Sequence, residues 1–120
     1  MAQHNNNGAL GEEIAIRYLE SISYKILEKN WRFQHKEIDL IAMDGNELVI
    51  LEVKFRSSTY GGEPYLAVNN KKQKNLIDAA EEYIFRNEID LETRFDIISI
   101  LEHQGEHKLE HIADAFKPAF

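Results

Sequence analysis

Two segments, Glu37 to Met43 and Leu48 to Phe55, read as strands on either side of Asp44-Gly45-Asn46-Glu47, and no other feature constrains the fold as much. Gly-Asn at the centre of four polar residues is a hairpin signal. As a two-residue turn it sets Asp44 opposite Glu47, Asp39 opposite Glu52 and Glu37 opposite Lys54. Side chains alternate along a strand. One face is then Ile38, Leu40, Ala42, Val49, Leu51, Val53 and Phe55, all apolar. The other carries Ile41, Met43, Leu48 and Ile50 near the turn, and Glu37, Asp39, Glu52 and Lys54 at the open end. A hairpin apolar on both faces must be covered on both sides. A three-residue turn would set Asp39 opposite Val53 and disperse the charged set, so everything depends on register.

Two helical segments supply the cover. From Gly8, the residues Leu10, Ile14, Ala15, Tyr18, Leu19 and Ile22 recur at helical spacing, and from Asn70 to Arg86 so do Leu76, Ile77, Ala80, Tyr83 and Ile84. Lys25 to Phe33 is a short extended run, Ser57 to Pro64 a loop, and Phe95 to Leu101 a strand. Gly105 turns the chain into a short edge strand, Lys108 to Ile112. The order α-β-β-β-α-β-β predicts an α/β fold with a mixed sheet flanked by helices. With 120 residues, 43% of them apolar, the chain suits one domain with one real core, residues 8–120, behind a polar leader, residues 1–7, expected to be disordered.

The absence of cysteine excludes disulfides, thiolate zinc sites and cysteine nucleophiles, and suits a reducing compartment. No apolar stretch approaches the roughly 20 residues of a membrane helix, and the N-terminus lacks the apolar centre of a signal peptide. A cytoplasmic protein with no membrane partner is expected. The net charge of −7 counts against a protein that coats nucleic acid. It does not count against an enzyme whose carboxylates hold cations.

The open end of the hairpin is where chemistry is expected. Carboxylates directly opposite one another have Cβ atoms about 5 Å apart and repel, and an apolar setting raises that cost. A divalent cation at Asp39 and Glu52 would offset it, and Mg²⁺ suits a few carboxylate oxygens completed by water and phosphate. Lys54 points the same way. Spacing alone leaves a second reading open, a solvated face with a surface ion pair. Glu12 lies at the edge of the first helix's apolar stripe, as a third acid or as a boundary glutamate, and Gly11 at the stripe's centre permits close approach to the sheet. Lys71, Lys72 and Lys74 open the second helix against its dipole. Together with Arg56 they are candidate phosphate contacts, a solvated lysine run being the other reading. Gln73 lies in line with Leu76, Ile77 and Ala80, hence inward. His35, His103, His107 and His111 read as surface histidines rather than a zinc site.

Asp39 followed by Glu52-Val53-Lys54 is the acid, acid-x-lysine signature of the PD-(D/E)XK nucleases. Several further segments add to it: Gly11-Glu12-x-x-Ala15, Tyr18-Leu19, Leu27-x-x-Asn30-Trp31-Arg32, Glu37-Ile38-Asp39-Leu40-Ile41, Glu52-Val53-Lys54-x-Arg56, Lys72-Gln73, Ala79-Ala80, Arg94-Phe95-Asp96 and Ala115-Phe116. In that order they resemble the YraN-like family of uncharacterised bacterial proteins, over nearly the whole chain. That family is similar in fold to the archaeal Holliday junction resolvases. The resemblance implies a restriction-endonuclease-like three-layer fold. It implies Mg²⁺ or Mn²⁺ held by Asp39, Glu52 and the Val53 carbonyl, and Lys54, Glu12 and Gln73 as further catalytic residues. It also implies a DNA partner, branched or otherwise structured, and a homodimer. Lys36 stands where the family has glycine and Asn75 where a basic residue is common, which puts tight nucleic-acid binding in question more than metal chemistry. A non-catalytic nucleic-acid-binding or protein-interaction module on the same fold is the alternative function.

Overall fold

The computed structural model describes residues 2–57 and 68–118, with side chains from Gly8 onward. Its elements are α1 (Ala2–Ser21), β1 (Lys25–Phe33), β2 (Lys36–Asp44), β3 (Glu47–Arg56), α2 (Asn70–Arg86), β4 (Glu92–His103) and β5 (Glu106–Phe116). The element order is the one read from the sequence. Two boundaries differ by more than three residues. Helix α1 starts at Ala2 rather than Gly8, so residues expected in a disordered leader are helical. No proline interrupts them, and asparagine disfavours a helix interior by only tenths of a kcal/mol. Strand β5 runs through to Phe116, well past the Ile112 expected, because it pairs with β4 from His103↔Glu106 to Phe95↔Phe116. The loop expected over Ser57 to Pro64 lies outside the described residues from position 58 on.

The sheet has five strands in the order β1-β2-β3-β4-β5. Its centre is β3, antiparallel to β2 and parallel to β4 over ten residue pairs, with α2 as the crossover between the parallel strands. The hairpin takes the two-residue register: Asp44 faces Glu47 and Leu40 faces Leu51. Gly45 has φ +59°, the sign required of the first central residue of such a turn. Helix α1 ends with Ser23 at φ 72° while the Tyr24 N–H donates to the Leu19 carbonyl at 2.9 Å, a left-handed cap that turns the chain into β1.

Both faces of the sheet are covered, as a hairpin apolar on both sides requires. On one, α1 packs Ala15 and Leu19 onto Leu40, Ala42, Val49, Leu51, Ile98 and Ile100. On the other, α2 packs Leu76, Ala79, Ala80 and Tyr83 onto Ile41, Leu48, Ile50, Phe95 and Ile97. Gly11 is the point of closest approach: a Cβ there would lie 3.1 Å from the Phe55 Cβ. One strand departs from strict alternation. Ile38, expected beside Leu40 under α1, packs in the α2-side core with Ile41. The alternation therefore slips across Asp39.

At the turn end of the hairpin a second polar group is buried under α1. The Arg94 guanidinium donates to both Asp96 oxygens at 2.9 and 3.0 Å, to Asp44 at 3.0 Å, to Glu47 at 2.8 Å and to the Tyr24 hydroxyl. Asp96 also takes the Asp114 N–H at 2.9 Å and meets His111 Nε2 at 2.7 Å, while His111 Nδ1 meets the Tyr18 hydroxyl at 2.9 Å. His111 is thus no surface histidine. Its ring ties β4 and β5 to α1. These bonds hold the Asp96 carboxyl below the usual carboxylate range despite its burial.

Candidate metal and phosphate site

The ladder between β2 and β3 stops at Leu40↔Leu51, one pair short of Asp39 and Glu52. Beyond it the strands splay, and the Asp39 side chain fills the gap: its Oδ2 accepts the Val53 N–H at 2.8 Å. The side chain substitutes for a ladder partner, which satisfies a backbone donor that the splay would otherwise orphan. Glu52 is buried on the α2 side, its side chain only 5% exposed. The Glu52 charge acts directly on Asp39. Burial first, and then the Glu52 charge, push Asp39 up to about 7 against the opposing pull of the Val53 N–H.

Two ammonium groups meet the same Glu52 oxygen. Lys72 Nζ, from the first turn of α2, lies 2.6 Å from Oε2, and Lys54 Nζ, from β3 itself, lies 3.4 Å from it. Lys54 is lowered from the ordinary lysine value by burial and by Lys72 beside it, Glu52 opposing. Burial also acts to lower Lys72, but its bond to Glu52 opposes that and the net direction is up. Asn69 fixes the start of α2 by accepting the Lys72 N–H at 2.9 Å. An open cleft of about 310 Å³ gives access to Asp39 and Glu52, with Lys36, Asn69, Lys71 and Lys72 along its walls.

The structure brings together Asp39, Glu52, Lys54 and Lys72, with Val53 between the acids. Glu12 stands at the rim, where it accepts from Asn30 Nδ2 at 3.0 Å and adds only a small repulsion at Asp39. Glu37 belongs to an ion pair with Arg32 at 3.5 Å. Arg56 is half-buried at the end of β3. Gln73 is not among the acids: its Nε2 donates to the Val68 carbonyl at 3.0 Å, and with Lys74 it lines a different cleft, beside Lys117. The buried face of α2 is Leu76, Ala79, Ala80 and Tyr83, and Lys72 stands one turn before Leu76 on that face. Counting Ile77 and Ile84 as the stripe's centre turns the wheel and selects Gln73 instead. Ala79 was the signal for Lys72, and small residues are easily passed over in an apolar pattern. Lys36 is drawn toward α2, 3.9 Å from Asp78.

Among the described residues no three histidine, cysteine, aspartate or glutamate side chains converge as a metal cage. Two carboxylates suffice for Mg²⁺, which keeps waters and takes phosphate oxygens as its remaining ligands. Among the described residues no helix is long and apolar enough to cross a membrane.

Residues 11–100 match the model of the uncharacterised protein family UPF0102. A UPF0102 protein of Flavobacterium psychrophilum is 47% identical over 116 residues, 97% of this chain and 98% of its own. One of Christiangramia forsetii is 46% identical over 116 residues, with 97% and 98% covered. One of Bacteroides thetaiotaomicron is 44% identical over 118 residues, 98% of each chain. With three quarters of its length inside the family model and relatives this similar end to end, the chain belongs to the UPF0102 family, the family its Gly11-Glu12, Glu37-Ile38-Asp39 and Glu52-Val53-Lys54 segments resemble.

Proposed function

We propose that this chain is a metal-dependent endonuclease of the PD-(D/E)XK type, a cytoplasmic hydrolase of phosphodiester bonds in branched or otherwise structured DNA. One observation carries the reading. Two carboxyl groups from splayed strands, Glu52 buried and Asp39 half-buried, repel each other, with a lysine of the second strand beside them, at the start of a helix. Mutual repulsion of that kind is relieved by a cation, so the residues present fit Mg²⁺ or Mn²⁺. Asp39, Glu52 and the Val53 carbonyl would hold it. When bound, the ion supplies positive charge at the phosphate and makes water more acidic. Lys54 orients the attacking water and stabilises negative charge as it develops. The first turn of α2 favours anions through its dipole and free N–H groups, and Lys71 and Lys36 line the same cleft. These are contacts to backbone rather than bases, so they position a strand without reading its sequence.

The test is cleavage of labelled branched, flapped and single-stranded DNA in Mg²⁺ or Mn²⁺. The wild type cuts at least one of them, chelator stops it, and Lys54→Ala loses about 10²-fold or more in rate with an unchanged circular-dichroism melt. Strand binding without cutting by the wild type moves the protein to the non-catalytic binding module. Cutting by Lys54→Ala at the wild-type rate removes the lysine from the mechanism.

A further inference from the structure

Lys72 is placed against its helix. A cation in the first turn opposes the dipole, yet Lys72 sits there with its ammonium 2.6 Å from Glu52 Oε2. The same oxygen takes Lys54 at 3.4 Å. With both carboxyl groups ionised, the two ammonium groups balance the site with no metal in it. A divalent ion bound to Glu52 competes with these ammonium groups for one carboxylate, and its two positive charges call for new negative ones. Lys54 is held on the central strand and is 25% exposed. Lys72 is 40% exposed at the mouth of the cleft, on a flexible four-carbon stem. It is the ammonium free to leave, and a phosphate in the cleft is the anion it would meet on leaving.

We propose that Lys72 is an internal counter-cation of the site, one that Glu52 exchanges for a divalent ion as a backbone phosphate arrives to take it. The inference rests on the metal-dependent reading above and adds its regulation. Free protein binds metal weakly, metal and strand bind with positive cooperativity, and Lys72 is the residue that couples them. It is a positioning residue, passing from a carboxylate to a phosphate.

Mn²⁺ binding to the whole chain, followed by calorimetry and by the paramagnetic resonance of free Mn²⁺, tests this without any cleavage. Lys72→Ala and Lys72→Met, the second keeping the aliphatic stem, should bind Mn²⁺ about tenfold or more tightly than the wild type, the scale of effect a charge in contact exerts on a carboxylate. Lys29→Ala, which removes one charge from exposed β1, should not. A short phosphorothioate oligothymidylate should tighten Mn²⁺ binding in the wild type and far less in the two Lys72 variants. If both variants bind Mn²⁺ no better than the wild type while Asp39→Asn abolishes binding, the counter-cation role is wrong and the metal site stands. If no variant binds Mn²⁺ with or without the oligonucleotide, both fall.

Discussion

Asp39 does two jobs that conflict. Its carboxyl closes the gap where β2 and β3 splay, by accepting the Val53 N–H, and it feels the charge of buried Glu52. The first job needs only an oxygen. The second penalises the charge. Because the folded pKa is raised to about 7 from 3.8, the folded protein keeps a proton that the unfolded chain loses between those values. The Asp39 contribution to the stability of the metal-free protein therefore falls as pH rises from about 4 to 7 and levels off above. Asparagine keeps the oxygen and removes the charge. In chelator, Asp39→Asn should melt higher than the wild type at pH 8, with the gap closing toward pH 4. An equal gap at both pH values would mean that the Asp39 charge is not under strain. Lys72 shows the same economy of position: a residue that reads as an outward phosphate contact is instead bonded inward to Glu52.

The elements are fastened at both ends of the hairpin, by different means. At the open end, the first turn of α2 meets β3 through Lys72 and Glu52. At the turn end, Arg94 and Asp96 on β4 gather the turn residues Asp44 and Glu47, the last turn of α1 through Tyr18 and His111, and β5 through the Asp114 N–H. Asp96 is 1% exposed and is the hub of this set. Removing its charge leaves a buried guanidinium short of its main partner, and breaking a buried pair from one side costs about 3–5 kcal/mol. Asp96→Asn should lose that much in urea unfolding at pH 7. Because its folded pKa is depressed, the stabilisation is present above the ordinary aspartate value and is lost as pH falls below it. The variant should therefore approach the wild type in acid. A loss below about 1 kcal/mol would mean that Arg94 finds enough partners in Asp44 and Glu47 alone.

Across the whole molecule, the acidity and the cleft pull in opposite directions. The chain carries a net −7, while Lys36, Lys71 and Lys72 all line the cleft that reaches Asp39 and Glu52. Attraction of a nucleic acid is then local to that cleft, and few phosphates are neutralised. Three contacts to a single strand, at about 0.7 each, give a slope near −2 for the logarithm of affinity against the logarithm of salt concentration. Fluorescence anisotropy over a KCl series checks this, and a slope steeper than about −4 would place the strand on some other surface. Both edge strands of the sheet carry repeated charges, Lys25, Glu28, Lys29 and Arg32 on β1 and Glu106, Lys108 and Glu110 on β5, which discourages edge-to-edge pairing.

The sequence by itself determined the element order, the hairpin register and the gathering of Asp39, Glu52 and Lys54 at its open end. Those rest on local rules: a period of two, a period near 3.6, and a two-residue turn that takes glycine. Gly11 was legible for the same reason, as a gap in an apolar stripe. What only the tertiary structure decided lies between elements. The splay that turns Asp39 inward and moves Ile38 to the other core depends on where the ladder ends, and no pattern within β2 marks that point. Lys72 rather than Gln73 reaches Glu52 because α2 is rotated to bury Ala79, a rotation fixed by the sheet beneath it. His111 is drawn in from the surface because α1 brings Tyr18 and β4 brings Asp96 to one place, and residues 93 and 15 positions away in the chain meet only once the layers have packed.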